Sequence, residues 1–313
     1  MQLQVIEFFA GIGGVARALE GIGDIVSAYD INENAALVYR SNFDHPYSIQ
    51  SIESLSADDL TSLNANTWWL SAPCQPFTRR GLQRDERDRR TAALRSLLQV
   101  IDQFPPTNVC LENVVGFEKS NMRSELVEVL TRNMFHWVEL QICPTSWSIP
   151  NQRPRYYMLA SQRKFQWVME PSPQFATSNQ LAPFLDTQVD NELGLAPDVV
   201  KKYIAGLNVV EQQSNVTNCF TSGYGKSMTK SGSYLCEPDG SIRRFSPVEI
   251  SKLLGFWGIH LDKEFVLPTN LTMRQQWKLL GNSVSVFVVR ELLSRFASAL
   301  NVGCGATHDV SRR

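Results

Sequence analysis

Thiols that could pair are scarce in this chain: it has six cysteines in 313 residues and no C-x-x-C. Cys74, Cys110, Cys143, Cys219, Cys236 and Cys304 are scattered, which speaks against a zinc site and against a disulfide framework. Reduced thiols in a cytoplasmic protein are the expectation, with no metal. Charge of one sign is also lacking, since 30 Lys and Arg face 31 Asp and Glu for a net −1. A polycation is thereby excluded, and any grip on nucleic acid must come from a local patch. No apolar run reaches the ~18 residues a membrane helix needs. The opening MQLQVIEFFAGIGG has no basic start and meets glycine too early for a secretory leader. A soluble protein with no membrane partner is expected. Neither an internal repeat nor a low-complexity tract is visible.

What the chain does have is a core-forming composition, 43% hydrophobic and 19% charged, suited to one large domain with or without a subdomain. Up to about residue 160, short apolar runs alternate with amphipathic stretches. Strands are predicted at 4–9, 25–29, 67–71, 109–112, 137–143 and 156–160. Helices are predicted at 15–21, 34–42, 92–104 and 123–134. This alternation predicts an α/β fold with a mainly parallel sheet covered on both faces. From about 165 to 243, proline, serine, asparagine and glutamine become common and periodicity weakens, as in a loop-rich subdomain. Helical order returns at SPVEISKLLGF, with Ser246 as cap, Pro247 at the first helical position and Glu249 in the capping-box place. A last helix is expected over 284–299, and a frayed tail after 301.

Five short motifs could carry chemistry. FFAGIGG follows a strand and opens a helix; Gly11, Gly13 and Ala16 fit a G-x-G-x-x-A turn, and Asp30 ends the next strand about 20 residues on. Such a turn suits an adenosine ribose, whether of a dinucleotide or of S-adenosylmethionine. In Pro73-Cys74-Gln75-Pro76 a thiol is stiffened by two prolines at the carboxyl end of a strand, where ligands of parallel sheets sit. Glu112 and Asn113 end another strand, and a carboxyl in a partly dry pocket can deliver a proton near neutrality. Arg153 and Arg155, one residue apart and entering a strand, should share a face and could hold a base oxygen, a phosphate or Glu112. Finally Gly281-Asn282-Ser283-Val284 is expected to open the last helix, where small polar residues would suit a carboxylate.

In this order, FAGIGG, PCQ, ENV, the paired arginines, RRFSPVE and GNSV resemble the cytosine-5 methyltransferase superfamily over nearly the whole chain. The resemblance implies a class I S-adenosylmethionine-dependent methyltransferase fold, a Rossmann-like doubly wound mixed sheet with a small target-recognition subdomain. It divides the chain into a catalytic and cofactor-binding part at 1–165, the recognition insert at 166–243, a part at 244–301 that completes the catalytic domain, and a tail at 302–313. By the same resemblance Cys74 is the nucleophile, adding to cytosine C6 so that C5 becomes reactive. Glu112 would hold N3, Arg155 the base O2 with Arg153 in support, while Gln75 and Asn113 would serve the substrate. Phe8, Ala10, Gly11, Ile12, Gly13 and Pro73 would line the cofactor's methionine side. Asp30 would take the ribose, Ile31 and Ile52 the adenine, and Asn282, Ser283 and Val284 the amino-acid end.

Within the superfamily, Cys219-Phe220-Thr221 together with PCQPFTR and IPNQRPRY is similar to the DNA methyltransferase homologue 2 branch. That likeness implies a tRNA substrate, methylated at cytosine 38 of the anticodon loop, with aspartate tRNA the usual target. Bases in such loops are already unstacked, which spares part of the cost of extracting one from a duplex. Arg79, Arg80 and Arg84 belong to a segment with seven arginines and three acids up to Arg95, a candidate phosphate contact. Lys226, Lys230, Arg243 and Arg244 could extend it. Two other readings remain: a DNA cytosine-5 methyltransferase, and a methyltransferase-like RNA-binding module with little turnover.

Overall fold

A computed structural model of the chain describes residues 2–73, 91–168, 180–188, 190–258 and 262–302. The apolar runs form strands β1 (Leu3–Phe8), β2 (Gly23–Asp30), β3 (Tyr47–Ile49), β4 (Thr67–Leu70), β5 (Asn108–Val114), β6 (His136–Ile142) and β7 (Arg155–Ser161). They lie in the order β3-β2-β1-β4-β5-β7-β6, and β7 runs antiparallel between β5 and β6 while the other neighbours are parallel. The chain winds outward in both directions from β1 and β4. Their carboxyl ends therefore form the switch point at which open α/β sheets bind ligands.

Between these strands come α1 (Gly14–Leu19), α2 (Glu33–Arg40), α3 (Ala57–Thr61), α4 (Ala92–Gln103) and α5 (Asn121–Arg132). After β7 the chain adds α6 (Pro197–Tyr203) and a small sheet of β8 (Val209–Val210), β9 (Tyr234–Cys236) and β10 (Ile242–Arg244). It closes with α7 (Pro247–Leu254), α8 (Met273–Asn282) and α9 (Val286–Val302).

Side-chain alternation along β1 divides the core in two. Leu3 and Val5 join the cluster that includes Tyr39, Phe287 and Phe296, whereas Ile6 and Phe8 join Trp68, Leu97 and Phe117 on the other face. Each large side chain buried this way contributes roughly 1.5–3 kcal/mol. The C-terminal helix belongs to the first of these layers. Arg290 on α9 donates to Ala18 O at 3.2 Å and Glu20 O at 2.7 Å, satisfying carbonyls at the end of α1.

The α7 start is built as its sequence suggests. Ser246 accepts from Glu249 N at 3.0 Å, and the Glu249 carboxylate accepts from Ser246 N at 2.8 Å. Outside the loop-rich stretch β3, α3 and α8 had not been anticipated, and within it neither had α6 nor the small β8–β10 sheet. Helix α8 changes the reading of GNSV. Gly281 and Asn282 end α8 rather than open the last helix, which starts at Val286. A second capping box explains this, with Thr272 accepting from Gln275 N and Gln275 accepting from Thr272 N, so that the helix begins well upstream.

Candidate active site

The turn after β1 is held in conformations few residues adopt. Phe9, Gly11 and Gly13 have φ of 57°, 54° and 84°. Glycine is needed at 13 on two counts, because a Cβ there would come within 2.4 Å of the Phe43 ring. At Gly11 a Cβ would meet nothing within 4 Å, since this residue borders open space. That space is a cavity of about 930 Å3 beyond the carboxyl ends of β1, β2, β4 and β5.

Asp30 fixes the turn to β2. Its Oδ2 accepts from Gly11 N at 2.8 Å and its Oδ1 from Asn32 N at 2.9 Å. Asp30, Ala10, Gly11 and Ile12 all line the cavity, as do Ile31 and Ile52 in one region and Asn282, Ser283 and Val284 in another. Ile31 is 71% exposed, an apolar side chain with little protein cover. Pro73 completes this set, at the last described residue before Cys74.

Two of the expected cofactor residues face elsewhere. Phe8 is fully buried against Tyr29 and Trp68, because alternation in β1 turns it away from α1. Phe9, one residue later, lines the cavity instead. Gly13 turns its Cα toward Phe43 and Tyr39, so its service is close packing under α1.

Sequence reasoning also missed Glu7. This carboxylate is 1% exposed, borders the cavity and accepts from Val15 N at 3.2 Å. Its Oε2 has no hydrogen-bond partner among the described residues. Burial pushes its pKa up to about 8, against the lowering effect of the α1 backbone amides. The visible signal was an acid inside the apolar strand VIEFF. Gln50, Ser51, Glu53 and Lys278 line the cavity as well and were not singled out.

Beneath the cavity lies an ionic cluster. Glu112 Oε1 and Arg155 Nε are 3.2 Å apart, both mostly buried and both in the cavity wall. Burial raises the Glu112 pKa and outweighs the opposing field of Arg155 and Arg153. Arg153 precedes β7 rather than lying within it and is 2% exposed. It donates to Phe220 O at 2.9 Å, Gly281 O at 3.1 Å and Ser283 O. One guanidinium thus ties the insert, the end of α8 and the entry to β7 together. Its Nη1 is also 3.3 Å from Cys219 Sγ. Burial raises that thiol's pKa, yet the fields of Arg153 and Arg155 prevail and lower it overall.

The remaining expected substrate contacts divide. Asn113 is 1% exposed, does not border the cavity, and donates to Ala72 O at 3.2 Å, bracing the turn that leads to Cys74. Phe220 is buried in a ring cluster with Tyr224 and Phe245, so it cannot face a substrate. Thr221 bonds within the insert. Two cations assigned to the phosphate patch are already engaged: Arg95 pairs with Glu125 at 2.8 Å, and buried Arg243 with Glu249 at 2.7 Å. Cys74, Gln75, Arg79, Arg80 and Arg84 lie outside the described residues. Among the described residues no cluster of three or more His, Cys, Asp or Glu could hold a metal, and no helix is long and apolar enough to cross a membrane.

The motif order and the cavity point to one family, and the model of C-5 cytosine-specific DNA methylases matches residues 3–298. The chain belongs to that family. It is 31% identical to a DNA (cytosine-5)-methyltransferase of Dictyostelium discoideum, over 95% of this chain and 95% of that protein. It is 29% identical to a tRNA (cytosine(38)-C(5))-methyltransferase of Spodoptera frugiperda, over 94% of this chain and 98% of the relative. Among solved structures it superposes on the Dnmt2 methyltransferase of S. pombe with a TM-score of 0.84 at 30% identity, covering 96% of this chain and all of the other. The fold is accordingly the class I methyltransferase fold, and the protein is an S-adenosylmethionine-dependent cytosine-5 methyltransferase. The methyl donor of this family suits the cavity seen here. A cationic ligand bearing an adenosine fits walls that carry Asp30 and Glu53, a largely exposed isoleucine and the open face of Gly11.

Proposed function

We propose that this methyltransferase acts on tRNA, at an anticodon-loop cytosine in position 38 of an aspartate or related tRNA, through a covalent adduct with Cys74. The observation that carries the chemistry is the Glu112–Arg155 pair in the wall of the same cavity as the glycine turn. Support for tRNA comes from the Cys219-Phe220-Thr221 segment and from relatives named for cytosine 38 of tRNA. Cytoplasmic location, with reduced thiols, belongs to the same reading.

S-adenosylmethionine, when bound, supplies an electrophilic methyl group. Ala10, Gly11, Ile12, Asp30, Ile31, Ile52, Pro73, Asn282, Ser283 and Val284 would hold it, with Phe9 in the place expected of Phe8. The Cys74 thiolate adds to C6 of the cytosine, forming an S–C bond. Glu112, whose proton affinity burial has raised, donates to N3 and draws in the charge that this addition releases. Arg155 holds Glu112 and approaches the base O2. Arg153 positions both through its three backbone contacts. After C5 is methylated, loss of its proton and β-elimination of the thiolate restore the aromatic ring and free Cys74.

The test supplies labelled S-adenosylmethionine with total tRNA and, separately, with unmethylated duplex DNA, followed by bisulfite mapping. Label at one anticodon-loop cytosine is expected. Cys74→Ala should abolish it while still binding the cofactor, and Glu112→Gln should lose at least about a hundredfold in rate. Label mainly in DNA would shift the assignment toward the Dictyostelium relative and leave the cysteine chemistry intact. Undiminished activity in Cys74→Ala would end the covalent mechanism.

A further inference from the structure

Two stretches of this chain contain no acid at all: residues 212–236 of the insert and residues 265–290, which include α8. They meet in space. A Cβ on Gly225 would fall 2.3 Å from the Trp277 ring, and one on Gly281 would fall 2.2 Å from the Thr221 carbonyl carbon. Trp277 also donates from its indole to Phe245 O at 3.1 Å, which ties α8 to the residue that follows β10. The seam so formed carries Lys226 and Lys230 on one side and Arg274 and Lys278 on the other. All four are exposed, and none has an ion-pair partner among the described residues. Acids just beyond the seam, Glu237 and Glu249, are both engaged by Arg243.

Helical spacing sets Arg274, Lys278 and Gly281 along one stripe of α8. Gly281 and Lys278 both border the cavity, so the stripe runs outward from its mouth. A nucleotide whose base enters the cavity must bring the phosphates on either side of it to that mouth. We infer that the seam between α8 and the 221–232 segment is a phosphate track, which takes the RNA strand flanking the target base through Lys226, Lys278 and Arg274. The inference rests on the tRNA reading above. It explains how a protein of net charge −1 can hold a polyanion, because the uncompensated cations are gathered at one rim while acids elsewhere balance the total.

Lys226→Ala with Lys278→Ala tests it, beside a charge-matched control, Arg163→Ala with Lys164→Ala. The control cations are exposed and follow β7 at the amino-end edge of the sheet, opposite the cavity. Binding of unmodified tRNA is read by fluorescence anisotropy over a range of salt, and cofactor affinity by calorimetry. The seam variant should bind tRNA roughly tenfold more weakly at 0.1 M salt, with a log–log salt slope shallower by about 0.7 per cation removed. The control should match wild type, and the variant with arginine at 226 and 278 should recover most of the loss. Equal losses in seam variant and control, or none in either, would overturn the track. So would a seam variant that loses cofactor affinity but not tRNA affinity. If the wild type neither binds nor methylates any tRNA, the tRNA reading itself fails and takes the track with it. tRNA binding indifferent to the seam removes the track alone.

Discussion

Glu7 shows what burial does to a single side chain. It shares the α1 face of β1 with Val5, where an apolar residue would be ordinary, and one of its oxygens is left without a partner. In the unfolded chain it would ionise in the usual carboxylate range; folded, it keeps its proton until about pH 8. The folded state therefore binds more protons across that window. Its stability from this group is complete below the ordinary carboxylate pKa and is lost as pH rises toward 8. Denaturant titrations of the cofactor-free protein at several pH values should show wild type losing up to about 1.4 kcal/mol per pH unit relative to Glu7→Gln. Parallel pH profiles for the two proteins would show that Glu7 titrates alike in the folded and unfolded chain, and that burial does not raise its pKa. The apolar strand and the acid in it were both readable from VIEFF. That the acid faces a cavity was not, since a strand's alternation says which residues share a face but not what lies opposite. Phe8 and Phe9 make the same point, because the strand end falls between them and the left-handed Phe9 turns back to the cavity.

Elements are started by caps, and here α3, α7 and α8 use the same device. Ser246 with Glu249 and Thr272 with Gln275 each satisfy two backbone donors that would otherwise be orphaned. Glu249 has a further task, since its carboxylate also receives Arg243 from β10. Ser246→Ala and Thr272→Ala should each cost about 1 kcal/mol of unfolding free energy by urea titration. Glu249→Ala should cost clearly more, about 2–4 kcal/mol, because it also takes the bidentate partner from a buried guanidinium and leaves it only Glu237. Equal losses for Ser246→Ala and Glu249→Ala would mean that the Arg243 contact adds nothing. The α7 box could be read from the sequence. The α8 box is just as legible in T-x-x-Q, but without it the GNSV motif looks like a helix start. Its residues do reach the cavity, as the end of one helix and the link to the next.

At the scale of the whole molecule, the cavity is assembled from both ends of the chain. Its walls come from the β1 turn, the ends of β2, β4 and β5, and the α8–α9 link, with Arg153 bonding that link to Phe220 behind it. A ligand held by so many segments should stabilise the fold as a unit. S-adenosylmethionine at a hundred times its Kd should add about 2.7 kcal/mol and raise Tm by about 5 °C in a thermal-shift assay. No shift at millimolar cofactor would mean that the folded chain does not bind the donor, and Asp30→Ala should reduce the shift if the cavity is the site. S-adenosylhomocysteine should give a shift of the same sign.

Sequence alone determined the layer architecture, because apolar period and loop length leave a chain like this few ways to bury its strands. It also determined the residue types of the site, since the glycine turn, Glu112, Arg153 and Arg155 are recognisable by their positions at strand ends. Tertiary structure decided what each does there. It set Glu112 beside Arg155, gave Arg153 a bracing task, withdrew Phe220, Asn113 and Arg243 into the interior, and brought two acid-free segments together at the cavity mouth. Those outcomes depend on contacts between residues far apart in the chain, and no local pattern encodes burial or a partner's field.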